Sequence, residues 1–249
     1  MDELWFWGLA ITAAALVGLG KGGVPIVGML SVPLMALVMN PVMAAGVLLP
    51  VYFVSDMFGL GAYRHEFDRR VLAVFLPGAV VGIGIGWATA SLVSEAAVTL
   101  LVGVIGLAFV LNLTLRKPVA RSAKRAEAGP GLFWGTVTGF TSFVSHAGAP
   151  PYQVYTLPLG MTKAVFAGTS TIAFTVINAV KLVPYYALGQ LNPGNLKMAA
   201  ILSVPAALAV FAGVRLVKVM PEKLFFRLVT WALLLISLKL VWDGVAGLI

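Results

Sequence analysis

Apolar side chains run along this chain in long blocks, interrupted by glycine, proline and short charged stretches. Read against those breakers, the blocks fall at 4–20, 24–39, 41–62, 71–92 and 96–115. Past a basic stretch they resume at 131–146, 150–160, 163–188, 195–214 and 223–246. Several approach the roughly 20 apolar residues that carry a helix through a bilayer core, and the alternating strands of a membrane barrel are missing. The pattern predicts an all-α polytopic membrane protein.

The blocks repeat. Gly23, Pro25 and Pro33 align with Gly148, Pro150 and Pro158 at an offset of 125. After a short gap, Ala45, Gly46, Asp56 and Tyr63 align with Ala167, Gly168, Asn178 and Tyr185 at 122, and Pro77 meets Pro205 at 128. The order and near-constant spacing of these matches predict a duplication of five segments plus five. Its halves are 1–115 and 131–249, joined by a basic linker at 116–130.

Loop charge gives the orientation. Arg64, Arg69 and Arg70 lie in one loop, Arg116, Lys117, Arg121, Lys124 and Arg125 in the next, and Arg215, Lys218, Lys223 and Arg227 in a third. The positive-inside rule puts all three in the cytoplasm. Segment 41–62 then runs inward and its partner 163–188 outward, so the duplication is inverted, an arrangement typical of secondary transporters. The same count places residue 40 outside and residue 162 inside. Each repeat therefore opens with a helical hairpin followed by three transmembrane helices, and both termini lie outside.

The short arm of the second hairpin reaches only about 16 Å at 1.5 Å per residue, which makes it re-entrant and turns it near mid-depth. For 24–39, re-entry and full spanning both stay open. The first block follows Met-Asp-Glu rather than a basic leader and is expected to remain in the mature protein.

Composition agrees: 60% of side chains are apolar and 10% charged, with mean hydropathy of +1.00, against about 25% charged in soluble domains. The net charge of +8 sits mostly in short loops, so it reports orientation rather than nucleic acid. The chain has no cysteine and two histidines, so neither a metal site nor a cofactor is expected, and no P-loop suggests ATP. Ser145 and His146 are neighbours about 100° apart on a helix and make no nucleophile–base pair.

Chemistry concentrates at the hairpin tips. "GLGKGG" ends the first arm, and Lys21 corresponds to His146, giving "KGGVP" and "HAGAP". Glycines there would let backbone N–H groups at Gly22, Gly23 and Gly148 face a ligand, with a helix N-terminus behind each. A lysine at membrane depth costs on the order of 3 kcal/mol unless paired or used. Lys21 is thus either an anion ligand or a structural partner of Asp56. Asp56, with its mate Asn178, could pair with Lys21, carry a coupling proton or hold a neighbouring helix. Tyr152, Gln153, Tyr155 and Thr156 bring polar groups near the second tip. Lys181 and Lys239 lie nearer the outer ends of their helices, where snorkelling or an i,i+4 pair with Asp243 accounts for them. Gly78/Gly82/Gly86 and Gly131/Gly135/Gly139 read as packing faces.

These features resemble the sulfite exporter TauE/SafE family over nearly the whole chain. "GLGKGGVPIVGMLSVPL", "NPVMAAGVL" and "AYRHEFD", echoed in the second half, carry the likeness. It implies a bacterial inner-membrane permease for small sulfur oxyanions and organosulfonates. The matching positions are Gly20, Gly22, Gly23 and Pro25, then Gly148 and Pro150. Lys21 and His146-Ala147 stand where other members often have glycine, a departure that favours an anion site.

The expected function is export of a small sulfur-containing anion, sulfite or a short sulfonate, by alternating access. The anion would bind between the tips, at Lys21, Gly22, Gly23, His146, Ala147, Gly148 and Gln153, with Asp56 and Asn178 in pairing or coupling roles. An importer or proton-coupled permease for another small anion, an anion channel and a non-transporting scaffold are the alternatives.

Overall fold

The computed structural model describes residues 3–90, 92–115 and 125–248. Most of the basic linker, including Arg116, Lys117, Arg121 and Lys124, lies outside the described residues. All regular structure among them is helical: α1 (Glu3–Lys21), α2 (Pro25–Gly28), α3 (Ser31–Met35), α4 (Pro41–Tyr63), α5 (Arg69–Ala88), α6 (Glu95–Leu115), α7 (Ala128–Ser145), α8 (Ala149–Thr156), α9 (Lys163–Ala187), α10 (Pro193–Val219) and α11 (Glu222–Ala246). A 3-10 turn, Leu157–Leu159, extends α8. Seven of these helices are long and apolar enough to cross a membrane: α1, α4, α5, α6, α9, α10 and α11. This is a multi-pass membrane protein.

The helix starts follow capping chemistry. Asn40 accepts from Val42 N–H at 2.9 Å, Asp68 from Val71 N–H at 3.0 Å and Asn192 from Asn195 N–H at 3.0 Å. Each satisfies an N–H that the first helical turn leaves without a partner. Both halves present the same order: a long helix, a short arm, then three long helices. The segment 24–39 departs from the single element expected of it. It forms two helical pieces of four and five residues, neither long enough to span a bilayer.

The chain packs as two compact units, residues 1–67 with 164–220 and residues 68–163 with 221–249. Each draws on both halves of the sequence. In the first unit α1 packs on α10 and α4, burying Ala10, Ala13, Ala14 and Val17 with Leu48, Val51, Leu202 and Ala206. The approach of α1 to α10 depends on small residues: a Cβ on Gly22 would lie 2.6 Å from the Gly213 Cα. In the second unit the two glycine stripes meet. Gly78 and Gly82 on α5 face the α7 backbone at Leu132 and Thr136, and Gly135 and Gly139 on α7 face Phe75 and Ala79. These are packing faces, where backbones approach closely because side chains are missing.

Candidate functional site

In the first unit, α1 ends on Lys21 and the chain turns back through Gly22 and Gly23. Gly23 has φ of +120°, a conformation that residues with a Cβ rarely adopt. Tyr63 on α4 donates to the Gly22 carbonyl at 2.7 Å, and Thr171 on α9 donates to the Lys21 carbonyl at 3.2 Å. The first tip is therefore fastened to α4 and α9. Its glycine N–H groups are used inside the turn: Gly22 donates to the Gly18 carbonyl at 2.8 Å and Gly23 to Gly20 at 3.3 Å. In this conformation the two glycines serve the turn and the contact with α10. The α2 helix has four residues, too few to supply the helix N-terminus expected behind this tip.

The Lys21 ammonium lies 2.7 Å from Asp56 on α4, with both side chains buried. The Tyr52 and Phe174 rings flank it at 5.3 and 5.8 Å, distances at which a ring face attracts a cation. Asn178 on α9 donates to the other Asp56 oxygen at 2.8 Å. Of the three roles open to Asp56, the structure shows two: it pairs with Lys21 and holds a neighbouring helix. Tyr52 in turn donates to the Gly28 carbonyl at 2.9 Å and contacts Ser31, tying the broken arm to α4.

Lys181 is where the sequence reading fails. It lies six residues before the end of α9 yet is 1% exposed, with its ammonium 5.4 Å from the Tyr185 ring. A snorkelling lysine would reach the surface; this one is enclosed by protein. The signal was available in the spacing of Thr171, Thr175, Asn178 and Lys181, a polar stripe on one face of an otherwise apolar helix. Lys239 behaves as expected, pairing with Asp243 one turn on.

In the second unit, α7 closes on His146, the one residue other than glycine with positive φ, +53°, among the described residues. Ala147 N–H reaches back to the Thr141 carbonyl at 3.2 Å, a helix-ending bond that usually has glycine at the turn. The α8 helix starts at Ala149 and carries Pro150 and Pro151 in its first turn, where N–H groups have no intrahelical partner. Gln153 follows, fully buried, with neither its amide nitrogen nor its oxygen hydrogen-bonded within the protein. The hydroxyls of Tyr155 on α8 and Thr138 on α7 are likewise buried and without a hydrogen bond. The Tyr152 and Tyr155 rings pack on Phe75 of α5 at 5.4 and 6.0 Å, fixing the short helix.

Lys21, Asp56 and Asn178 thus form one connected group in the first unit, while His146, Ala147, Gly148 and Gln153 belong to the tip of the second. Comparison with curated proteins and with solved structures gives no match. The family model described as sulfite exporter TauE/SafE matches residues 6–240. Nearly the whole chain is covered, glycine-rich tips and all, and the protein belongs to the sulfite exporter TauE/SafE family of membrane transporters.

Proposed function

We propose that this transporter exports a small sulfur-containing anion, sulfite or a short organosulfonate, from a bacterial cell across the inner membrane by alternating access. Gln153 supplies an amide donor to the anion and His146 a tunable one, with Gly148 and Ala147 allowing close approach to the backbone. Gly22 and Gly23 shape the first tip, and Asp56 with Asn178 holds the Lys21 ammonium in place. Export down the membrane potential gains about 2.3 kcal/mol per charge per 100 mV, so no second energy source is needed.

The observation that carries this reading is the Gln153 amide. A buried polar atom without a partner costs about 1–3 kcal/mol, and here both amide atoms stand so, one turn into α8. An oxyanion accepts hydrogen bonds from such a donor. Asp56 lies 15 residues into α4 and Asn178 15 residues into α9, about 22 Å along each helix, well inside two helices long enough to cross a membrane.

Sulfite efflux from proteoliposomes under a potassium-set potential tests the proposal. Outward-positive voltage should speed efflux, and Gln153→Leu, His146→Ala and Lys21→Ala should each slow it while remaining folded. Equal efflux in all four proteins would move the site elsewhere, and a flux indifferent to voltage would overturn charge-carrying export.

A further inference from the structure

We propose that the groove between α6 and α11 holds one anionic phospholipid, its phosphate on Arg227 and one acyl chain between the two helices. The groove lies wholly in the second unit, and none of its lining residues belongs to the anion site.

The groove follows from where the glycines stand. A Cβ on Gly244 would lie 2.5 Å from the Leu100 nitrogen, one on Gly103 2.7 Å from the Val241 nitrogen and one on Gly106 2.1 Å from the Ser237 hydroxyl. These pairs ascend α6 as they descend α11, so the helices run antiparallel and their backbones meet closely over that stretch. From Gly106 to the end of α6, and from the start of α11 to Ser237, the sequence has no further glycine. There a cavity of about 350 Å³ opens between the two helices.

Its lining is graded. Arg227 lies five residues into α11, Trp231 nine and Leu234 twelve. Opposite them, Thr114 is one residue from the end of α6 and Val110 one turn deeper. From the helix ends toward the middle, the lining thus passes from a charge through an amphipathic ring to hydrocarbon, the order of phosphate, ester and acyl chain in a phospholipid. The Thr114 hydroxyl donates to the Val110 carbonyl at 2.9 Å and the Thr230 hydroxyl to Phe226 at 2.8 Å, so both protons are engaged within their own helices. The other donors on the lining are the Arg227 guanidinium and the Trp231 indole N–H. Arg227 is exposed and forms no ion pair with another described residue, and a guanidinium fits phosphate oxygens two at a time. Trp231 is 56% exposed, an amphipathic ring of the kind favoured at headgroup level. Lys223, one turn before Arg227, adds a second positive charge at the rim against the one carboxylate of Glu222. Basic pockets between transmembrane helices select anionic headgroups on the same physics. A second copy of the chain would offer this face another arginine rather than a phosphate, so the charge favours the lipid.

Native mass spectrometry of the purified full chain tests the site, with the protein released from micelles that hold equal amounts of phosphatidylglycerol and phosphatidylcholine of the same acyl chains. The wild type should retain phosphatidylglycerol about fivefold over phosphatidylcholine. Arg227→Gln should bring that ratio toward parity, Arg227→Lys should keep most of it, and Lys239→Gln, near the far end of α11, should leave it unchanged. Leu234→Trp, which fills the groove, should reduce retention of both lipids. Thermal unfolding shows which variants fold; if Leu234→Trp does not, the two Arg227 variants decide. Equal retention of the two lipids by the wild type, a folded Arg227→Gln with the wild-type ratio, or a ratio that Lys239→Gln lowers as much as Arg227→Gln does, overturns the proposal. So does a dimer that Leu234→Trp breaks and added phosphatidylglycerol leaves intact, which would give the groove to a second copy.

Discussion

Replacing Lys21 with methionine keeps the bulk of the stem and removes an ammonium held 2.7 Å from Asp56. At an effective dielectric of about 20 that attraction amounts to about 6 kcal/mol. Desolvation of two buried ions offsets most of it, so the pair as a whole contributes little, but removing one member leaves the other stranded. Asp56 would keep its bond from Asn178 at 2.8 Å and lose its counter-charge, at a cost of about 3–5 kcal/mol. Asp56→Leu strands Lys21 instead, leaving it the rings of Tyr52 and Phe174, each worth about 0.5–2 kcal/mol. The double variant Lys21→Met/Asp56→Leu should recover to within about 2 kcal/mol of wild type, since neither ion is then left alone. A double-mutant cycle by equilibrium unfolding in mixed micelles measures the coupling. Single losses under about 1 kcal/mol that add within about 0.5 kcal/mol would refute the reasoning, because they would mean that neither ion depends on the other. Sulfite efflux by the folded double variant then separates roles: a stable but silent protein gives the Lys21–Asp56 pair a part in transport beyond packing.

His146→Gly relieves the left-handed residue and should leave stability unchanged or raise it by about 0.5–1 kcal/mol, while slowing efflux; slow efflux with a lowered melting temperature would point to packing instead. Gly22→Ala drives a Cβ to within 2.6 Å of Gly213 and should cost about 1–3 kcal/mol, read as a lower melting temperature, with Gly8→Ala, which meets open space, as the neutral control. Single cysteines in this cysteine-free chain should label from outside at position 40 and from inside at position 120; the reverse pattern would discard the inverted topology.

Much of the fold was legible because helix boundaries are written locally. Asn40, Asp68 and Asn192 cap where the apolar blocks begin, and glycines four apart announce a packed face before its partner is known. The break in 24–39 was also written there, in Gly28 and Pro33, but apolar length outweighed it. The alignment paired Asp56 with Asn178 without showing that they touch, because that bond joins positions 122 apart. Lys181 was misplaced for a related reason. Distance from a helix end says how far a side chain must reach to find water, not whether other helices stand in the way.

The way the first unit is drawn from 1–67 and 164–220 sets an order of events during synthesis. Lys21 and Asp56 leave the ribosome in the same early segment, and each neutralises the other as α1 and α4 enter the membrane. Asn178 follows Asp56 by 122 positions, a delay of about 6–24 s at 5–20 residues per second. Residues 68–163, which belong to the other unit, are made in that interval. Nascent chains paused before α9 would therefore expose an electrically balanced but unfastened hairpin to insertases and quality-control proteases. The charge of Lys181 reaches the bilayer only with α9, and α10 completes the unit after it.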